Sequence, residues 1–431
     1  MTDLYRAAVE ILQENDRGSY TIPTKGLYPF QWNWDSCLTA LGQSHFDESR
    51  AWTEIETLFA HQWSDGMVPH IVFHTPDDGY FPGPDVWATG RPVPTSGITQ
   101  PAVAGFAIRR LFDRATDRGQ AATRARALLP KVTAWHRWFF QNRDPEGEGL
   151  VAILHPWESG RDNSVDWDDA FARVPTEGIA PYTRRDTQHA APEHRPTKEH
   201  YDRYLWLVEH FRALNWDNTR LHAATPFQVV DPGFNAILIR SAADLADLAE
   251  TLGELGLAAE NRAYATRGTA ALESLWSEDH GQYLCRDRVL GALIDSRSSG
   301  GLLAAFAPIP AARAARIAQT IEGHGTRFRV ASQAPDDPRF QVQRYWRGPV
   351  WLVVNYMIAD GLARSGLAGA SAAITRSSLD LIRTSGFAEY YDPRSGEPLG
   401  GVRFTWTAAM VLEFLALADL CQSAPDERWE S

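Results

Sequence analysis

Residues 233–256, GFNAILIRSAADLADLAETLGELG, run directly into 258–277, AAENRAYATRGTAALESLWS. Both stretches are rich in Ala and Leu, and Gly253 and Gly256 stand between them. Helix, glycine break, helix is the pattern of an αα-hairpin. The same pairing recurs at 297–307 with 310–322 and at 347–365 with 367–385. Working outward, residues 3–14 place Leu4, Ala7, Ala8, Ile11 and Leu12 on one stripe at helical spacing, ending near Asn15 and Gly18. Residues 47–62 do so with Ala51, Ile55, Leu58 and Phe59, and 197–214 with Tyr201, Tyr204, Leu205, Leu207 and Val208. Further helices are expected at 99–114, at 119–141 (with Pro130 marking a kink or a start) and at 405–421, giving roughly a dozen in all. Short strand candidates lie near 68–73, 151–154 and 282–285. They do not alternate with helices as a doubly wound sheet requires, and no repeat of fixed period supports a solenoid. A ring of paired helices fits this pattern, although periodicity alone does not require the ring to close.

Composition narrows the function classes. The 431 residues carry 42 Lys and Arg against 54 Asp and Glu, a formal charge of −12. That is no basic footprint for nucleic acid. No apolar run approaches the ~20 residues that span a bilayer, and no secretory leader is visible at Met-Thr-Asp-Leu-Tyr-Arg. Cys37, Cys285 and Cys421 form neither a metal spacing nor an even disulfide set, so reduced thiols in a cytoplasmic protein are expected. No metal or cofactor is implied. No linker divides the chain, which reads as a single domain over 1–431, compatible with a homo-oligomer. Polar loops at 74–97 and 174–197 interrupt the helical pattern, and long loops inside a compact chain are often functional. The 16 tryptophans, 13 tyrosines and 19 phenylalanines are the unusual feature. They serve a large core or the apolar face of a sugar.

Polar and aromatic residues concentrate in four clusters. They are Tyr28-Pro29-Phe30-Gln31-Trp32-Asn33-Trp34-Asp35-Ser36, His155 to Ser164 (HPWESGRDNS), Gln343-Arg344-Tyr345-Trp346-Arg347-Gly348-Pro349, and Glu389 to Gly401 (EYYDPRSGEPLGG) with Phe404-Thr405-Trp406-Thr407 beyond it. Two of these hold a carboxylate in a glycine-containing loop beside a tryptophan. Hydrolysis of a glycoside needs two carboxyl groups, one to protonate the leaving oxygen and one to attack or to activate water. An ordinary Asp, with a pKa near 3.9, is only about 0.1% protonated at pH 7. An acid Asp therefore needs an apolar wall or a neighbouring negative charge, which Trp157 and Glu158 could give Asp162.

These motifs resemble those of the inverting (α/α)6-barrel glycosidases of glycoside hydrolase family 63 and its relatives: trehalases, processing α-glucosidases, and the hydrolases of glucosylglycerate and mannosylglycerate. Glu158-Ser159-Gly160-Arg161-Asp162-Asn163-Ser164 is similar to the ESGxDxS element. Trp32-Asn33-Trp34-Asp35-Ser36 is similar to the YWDS-type element, 343–351 to YWRGPVW, and Glu389-Tyr390-Tyr391-Asp392 with 404–407 to EKYD…FGWT. The resemblance implies an all-α (α/α)6 toroid with its long loops on one face. It implies Asp162 as general acid and Glu397, nine residues before Trp406, as general base; Glu389, at the EKYD glutamate and not the family's base, is the competing candidate. Asp35 is expected to bind sugar hydroxyls between walls of Trp32, Trp34 and Trp346, with Tyr345 and Trp406 close by. The chain lacks the extra β domain of the processing enzymes and the GGGGEY glycines of trehalases. The compact form resembles the glycerate-glycoside hydrolases, glucosylglycerate hydrolase first among them. The expected partners are then a small anionic glycoside and water, with Arg195 and Tyr201 reaching the glycerate and Arg344 or Arg347 as substitutes. Alternatives are a trehalase or α-glucosidase acting on a neutral disaccharide, and a catalytically silent sugar-binding barrel. His70, His74 and Gln100 are further candidates to line a subsite, Tyr80 a candidate for a flexible lid, and Asp244 and Asp247 belong to a helix expected to show them to solvent.

Overall fold

The computed structural model describes residues 3–184, 186 and 191–423. Its helices are α1 (Asp3–Glu14), α2 (Asn33–Gln43), α3 (Glu48–Ala60), the single turn α4 (Pro84–Trp87), α5 (Ala104–Arg114), α6 (Arg118–Arg143), the short α7 (Asp168–Ala172), α8 (Lys198–Ala213), α9 (Asn218–Ala224), α10 (Pro232–Thr251), α11 (Leu255–Leu272), the short α12 (Ser299–Leu303), α13 (Ala311–Gly323), α14 (Leu352–Arg364), α15 (Ala368–Ser385) and α16 (Thr405–Ser423). Starts are set by local chemistry. The side chains of Asp47, Asp117, Thr197, Asp217 and Asp231 accept first-turn N–H groups, and Pro232 follows its cap at a position where no N–H is needed.

Six helical segments form a closed inner ring. In order, α2, α5, α10, α12 with the turn Ala304–Phe306, α14 and α16 each pack on the next, and α16 returns onto α2. An outer helix precedes each inner one: α1, α3, α6, α11, α13 and α15. The architecture is an all-α (α/α)6 toroid. Because an outer helix carries the chain back each time, the inner helices share one direction, and their N-termini gather at one end.

Burial separates the two rings. All eleven residues of α2 are buried, as are Leu352–Leu362 of α14. The outer α13 buries only Ala314, Ile317 and Ile321, a single stripe. Asp244 of α10 departs from its expected exposed place. It is 4% exposed and its Oδ2 accepts from Arg240 Nε at 2.8 Å, because its side of the inner helix α10 packs inward, whereas Asp247, three residues on, is exposed as expected. The helix α6 runs on through Pro130.

Strands are short and work as clasps. Gln31–Trp32 pairs antiparallel with Ile71–Val72. Ala388–Tyr391 pairs with Pro398–Val402, with an irregularity between Ala388 and Tyr390. No helix among the described residues is long and apolar enough to cross a membrane.

Candidate active site

At the end where the inner N-termini meet lies a cavity with about 950 Å³ of empty space, counted together with the open solvent at its mouth. Trp32, Trp34, Asp35, His70, Tyr80, Gln100, Asp162, Arg195, Tyr201, Tyr345 and Trp406 all line it. These eleven come from loops and helix starts across the whole chain. Tyr28, Trp87, Trp157, Asp186, Glu389 and Phe404 line it as well. Tyr28 and Glu389 sat inside motifs already singled out. Asp186, in the polar loop before α8, carried no signal in the sequence.

Local structure explains the placement of the first wall. The clasp between Gln31–Trp32 and Ile71–Val72 puts Trp32 opposite Ile71, beside His70. Asn33 N–H donates to the His70 carbonyl at 3.0 Å, and Trp34 N–H to Gln100 Oε1 at 3.2 Å. Asp35 then opens the first turn of α2 at the cavity. Behind it, buried Glu54 accepts from Gln31 Nε2, Ser36 Oγ and Arg50 Nη2. His74 lies outside the lining; its Nε2 meets Gln31 Oε1 at 2.7 Å and its ring stacks on Tyr20.

The loop of Asp162 is locked by backbone geometry. Gly160 has φ +71°, and a Cβ there would stand 2.7 Å from the Trp34 ring, so only glycine lets the tryptophan lie against the loop. Arg161, 2% exposed, pairs with Asp166 at 2.8 Å and Asp231 at 3.0 Å. The Asp162 carboxyl turns into the cavity. Burial pushes its pKa up to about 7; Arg195 opposes this and Glu389 adds to it.

Glu397 does not line the cavity. It is exposed, just before the second strand of the 388–402 hairpin, and its Oε2 accepts from Gln343 Nε2 at 2.8 Å. The expected base position is corrected on this point. Counting back from Trp406 lands in a turn organised by Asp392, whose Oδ1 takes the N–H groups of Arg394 and Ser395, and turn side chains face water. The hairpin instead delivers Glu389, 1% exposed, from its first strand. Glu389 Oε1 accepts from Tyr28 at 3.1 Å and Tyr345 at 3.3 Å, and Oε2 from Gly401 N–H at 2.9 Å. That last contact needs Gly400, at φ +72°, where a Cβ would stand 2.3 Å from Oε2. Burial raises the Glu389 pKa, while Arg195 and these donors favour its ionised form.

Trp346 is also corrected. Its ring stacks on Trp351 at 3.8 Å and 3° and stands behind Trp34 rather than on the wall. Its backbone N–H holds Asn163 Oδ1 at 2.9 Å, so the residue braces the loop of Asp162. Tyr345, just before it, does reach the cavity, with φ +41°.

Arg195 is the one Lys or Arg among the described residues that line the cavity. It is 4% exposed and stacks over Tyr345 at 4.2 Å. Nε donates to Asp186 at 3.3 Å and Nη2 to the Tyr28 hydroxyl at 3.0 Å. Nη1 has no hydrogen-bond partner among the described residues and stands 3.7 Å from Glu389 Oε1. The other candidate cations are spoken for: Arg347 pairs with Asp168 at 2.7 Å, and Arg344 Nε donates to the Glu193 carbonyl. His70, stacked on Trp157, is held neutral by burial.

An (α/α)6 toroid with carboxyl groups around an aromatic-walled cavity at one mouth defines the class, a glycoside hydrolase. Comparison with known proteins narrows it. Residues 28–407 match the family described as the mannosylglycerate hydrolase MGH1-like glycoside hydrolase domain, and the chain belongs to that family. It is 47% identical to mannosylglycerate hydrolase MGH1 of Selaginella moellendorffii over 95% of this chain and 85% of that one. It is 35% identical to the glucosylglycerate hydrolase of Mycolicibacterium hassiacum, covering 96% and 98%. Among solved structures, the glycoside hydrolase family 63 mannosylglycerate hydrolase of Thermus thermophilus, in complex with Tris and D-glycerate, superposes with a TM-score of 0.92. That match has 48% identity and covers 96% of this chain and all of the other.

Proposed function

We propose that this protein hydrolyses an α-mannosyl glycerate to mannose and glycerate with inversion, Asp162 acting as general acid and Glu389 as general base. The carrying observation is that these two carboxyl groups, more than two hundred residues apart in the chain, line one sugar-sized cavity, both with raised pKa values. Asp162 holds a proton near neutral pH and gives it to the glycosidic oxygen as the bond from C1 to that oxygen breaks. Glu389 takes a proton from a water whose oxygen forms the new bond to C1 from the opposite face. The sugar leaves as its β anomer, and the separation expected of the two carboxyls is roughly 6.5–9.5 Å.

The anionic aglycone is supported by Arg195. Its Nη1 is buried and lacks a hydrogen-bond partner among the described residues, and a guanidinium edge suits a carboxylate. Tyr201 lines the same cavity. Mannose is preferred over glucose as the sugar because the relatives near half identity carry the mannosylglycerate name, while the glucosylglycerate relative stands at 35%.

Release assays with mannosylglycerate, glucosylglycerate and trehalose side by side test the reading. Mannosylglycerate should turn over fastest, and NMR of the first product should show the β anomer. Arg195→Met should raise KM for the glycerate glycoside by roughly 30-fold or more, from loss of a charged hydrogen bond. Fastest turnover of trehalose would remove the glycerate, and an α anomer would remove inversion.

A further inference from the structure

The loop carrying Asp162 is held by its carbonyls. Arg161 O accepts from Trp167 Nε1 at 2.7 Å, Asp162 O from the Tyr204 hydroxyl at 2.9 Å, and Asn163 O from Arg347 Nη1 at 3.4 Å. The middle bond comes from α8, the helix that also presents Tyr201 to the cavity. Tyr201 lies three residues earlier on α8, and Arg195 just ahead of its first turn; both line the cavity, and Tyr204 does not. Tyr204 is fully buried, its ring packed at 5.0 Å from both Trp157 and Phe171 and 5.8 Å from Tyr201.

Tyr204 grips the same loop a second time. His155 Nδ1 accepts from Trp157 N–H at 3.1 Å, which leaves the proton on Nε2, and Nε2 meets the Tyr204 carbonyl at 3.1 Å. One residue thus bonds both ends of the segment 155–162. Its hydroxyl holds the carbonyl of Asp162 and its carbonyl holds His155. An isolated tyrosine in a core needs only one partner for its hydroxyl; here both polar ends of the residue are committed to one loop.

We infer that Tyr204 is a positioning residue, tying the backbone of Asp162 to the helix that presents Tyr201 and follows Arg195, so that the end of the cavity reading the aglycone also sets the aim of the acid. This rests on the reading of Asp162 as general acid given above. It predicts a defect confined to steps that need protonation of the leaving group.

The experiment compares two substrates in the full-length enzyme, mannosylglycerate and α-mannosyl fluoride. Fluoride departs with little help from an acid, whereas the glycerate oxygen needs its proton. Tyr204→Phe keeps the ring and removes the hydroxyl. It should lower kcat on mannosylglycerate about tenfold or more with KM within about twofold, and leave kcat on the fluoride within about twofold. His155→Phe, which breaks the second bond, should show the same split and stands in if Tyr204→Phe does not accumulate folded. Equal losses on both substrates, or no loss on mannosylglycerate, overturn the inference. Asp162→Asn separates the two failures. It should lose mannosylglycerate turnover and largely keep that of the fluoride; if it spares neither or both, the acid assignment itself falls, and the role of Tyr204 with it.

Discussion

Glu389 and Glu413 are each 1% exposed, yet they stand toward opposite ends of the toroid and their pKa values are shifted in opposite directions. Glu389 lies at the cavity, where burial raises its pKa. Glu413 lies two turns into α16, toward the far end. Burial would raise it too, but Arg114 and His45 hold it well below the ordinary carboxylate range. Arg114 Nη2 reaches its Oε2 at 2.8 Å, His45 Nε2 its Oε1 at 2.8 Å, and the Tyr356 hydroxyl also donates to it. Nearby, Asp360 is shared by Arg110 and by Arg240, the latter at 2.8 Å. The far end is closed with paired charge. The cavity end gathers Asp35, Asp162, Asp186 and Glu389 around Arg195. Burial alone does not set the state of a carboxyl group; the number and geometry of its cationic partners does.

The comparison breaks most visibly at the cavity. Asp162→Asn and Glu389→Gln should each lower kcat on mannosylglycerate by about a thousandfold, within the range for a general acid or base, with unfolding midpoints unchanged or raised. At the far end the outcome should reverse. Glu413→Gln should cost about 3–5 kcal/mol in denaturant unfolding, because Arg114 is left without its counter-charge, while kcat/KM of the remaining folded enzyme stays near wild type.

A pH series sharpens the same contrast. The folded protein holds the Asp162 proton up to about pH 7, whereas the unfolded chain releases it near 3.9. This group's contribution to stability is therefore complete below about pH 4 and declines as pH rises toward 7. Asp162→Asn should melt higher than wild type at pH 8, with the gap closing toward pH 4. Activity should fall on the alkaline side as Asp162 ionises, and on the acid side as Glu389 takes up its proton. The smallest effect is expected at Glu397. Exposed, and with its carboxylate bonded to Gln343 Nε2 alone among the described residues, it should tolerate Glu397→Gln with kcat within about twofold. A large loss there would reopen the assignment of the base.

Much of the outer ring was legible. Stripes such as Leu4, Ala8, Ile11 and Leu12 in α1 or Ile55, Leu58 and Phe59 in α3 exist because those helices have one wet face, and water writes the period into the sequence. The inner α2 left no such mark. All eleven of its residues are buried, so nothing alternates, and only Asn33 to Ser36 drew notice, as part of a polar and aromatic cluster. The hairpin at 388–402 was missed for a related reason: its strand Ala388–Tyr391 is buried throughout, so no two-residue alternation shows. For the cavity, the motifs and the family resemblance they carry brought eleven lining residues to notice, Asp162 and Arg195 among them. Spacing along the chain misplaced Glu397, because distance in sequence ignores which way a hairpin turns.

What the amino-acid order determined by itself was the helical pairing, the clustering of carboxyl and indole groups in four motifs, and the setting of Asp162 next to a tryptophan and a glutamate. Which glutamate shares the cavity with Asp162 was decided only in three dimensions. The turn built on Asp392 sends Glu397 into solvent, and the close approach allowed by Gly400 seats Glu389 against Gly401 N–H, Tyr28 and Tyr345. Side-chain direction depends on strand register and backbone torsion, and neither is carried by the spacing of residues along the chain.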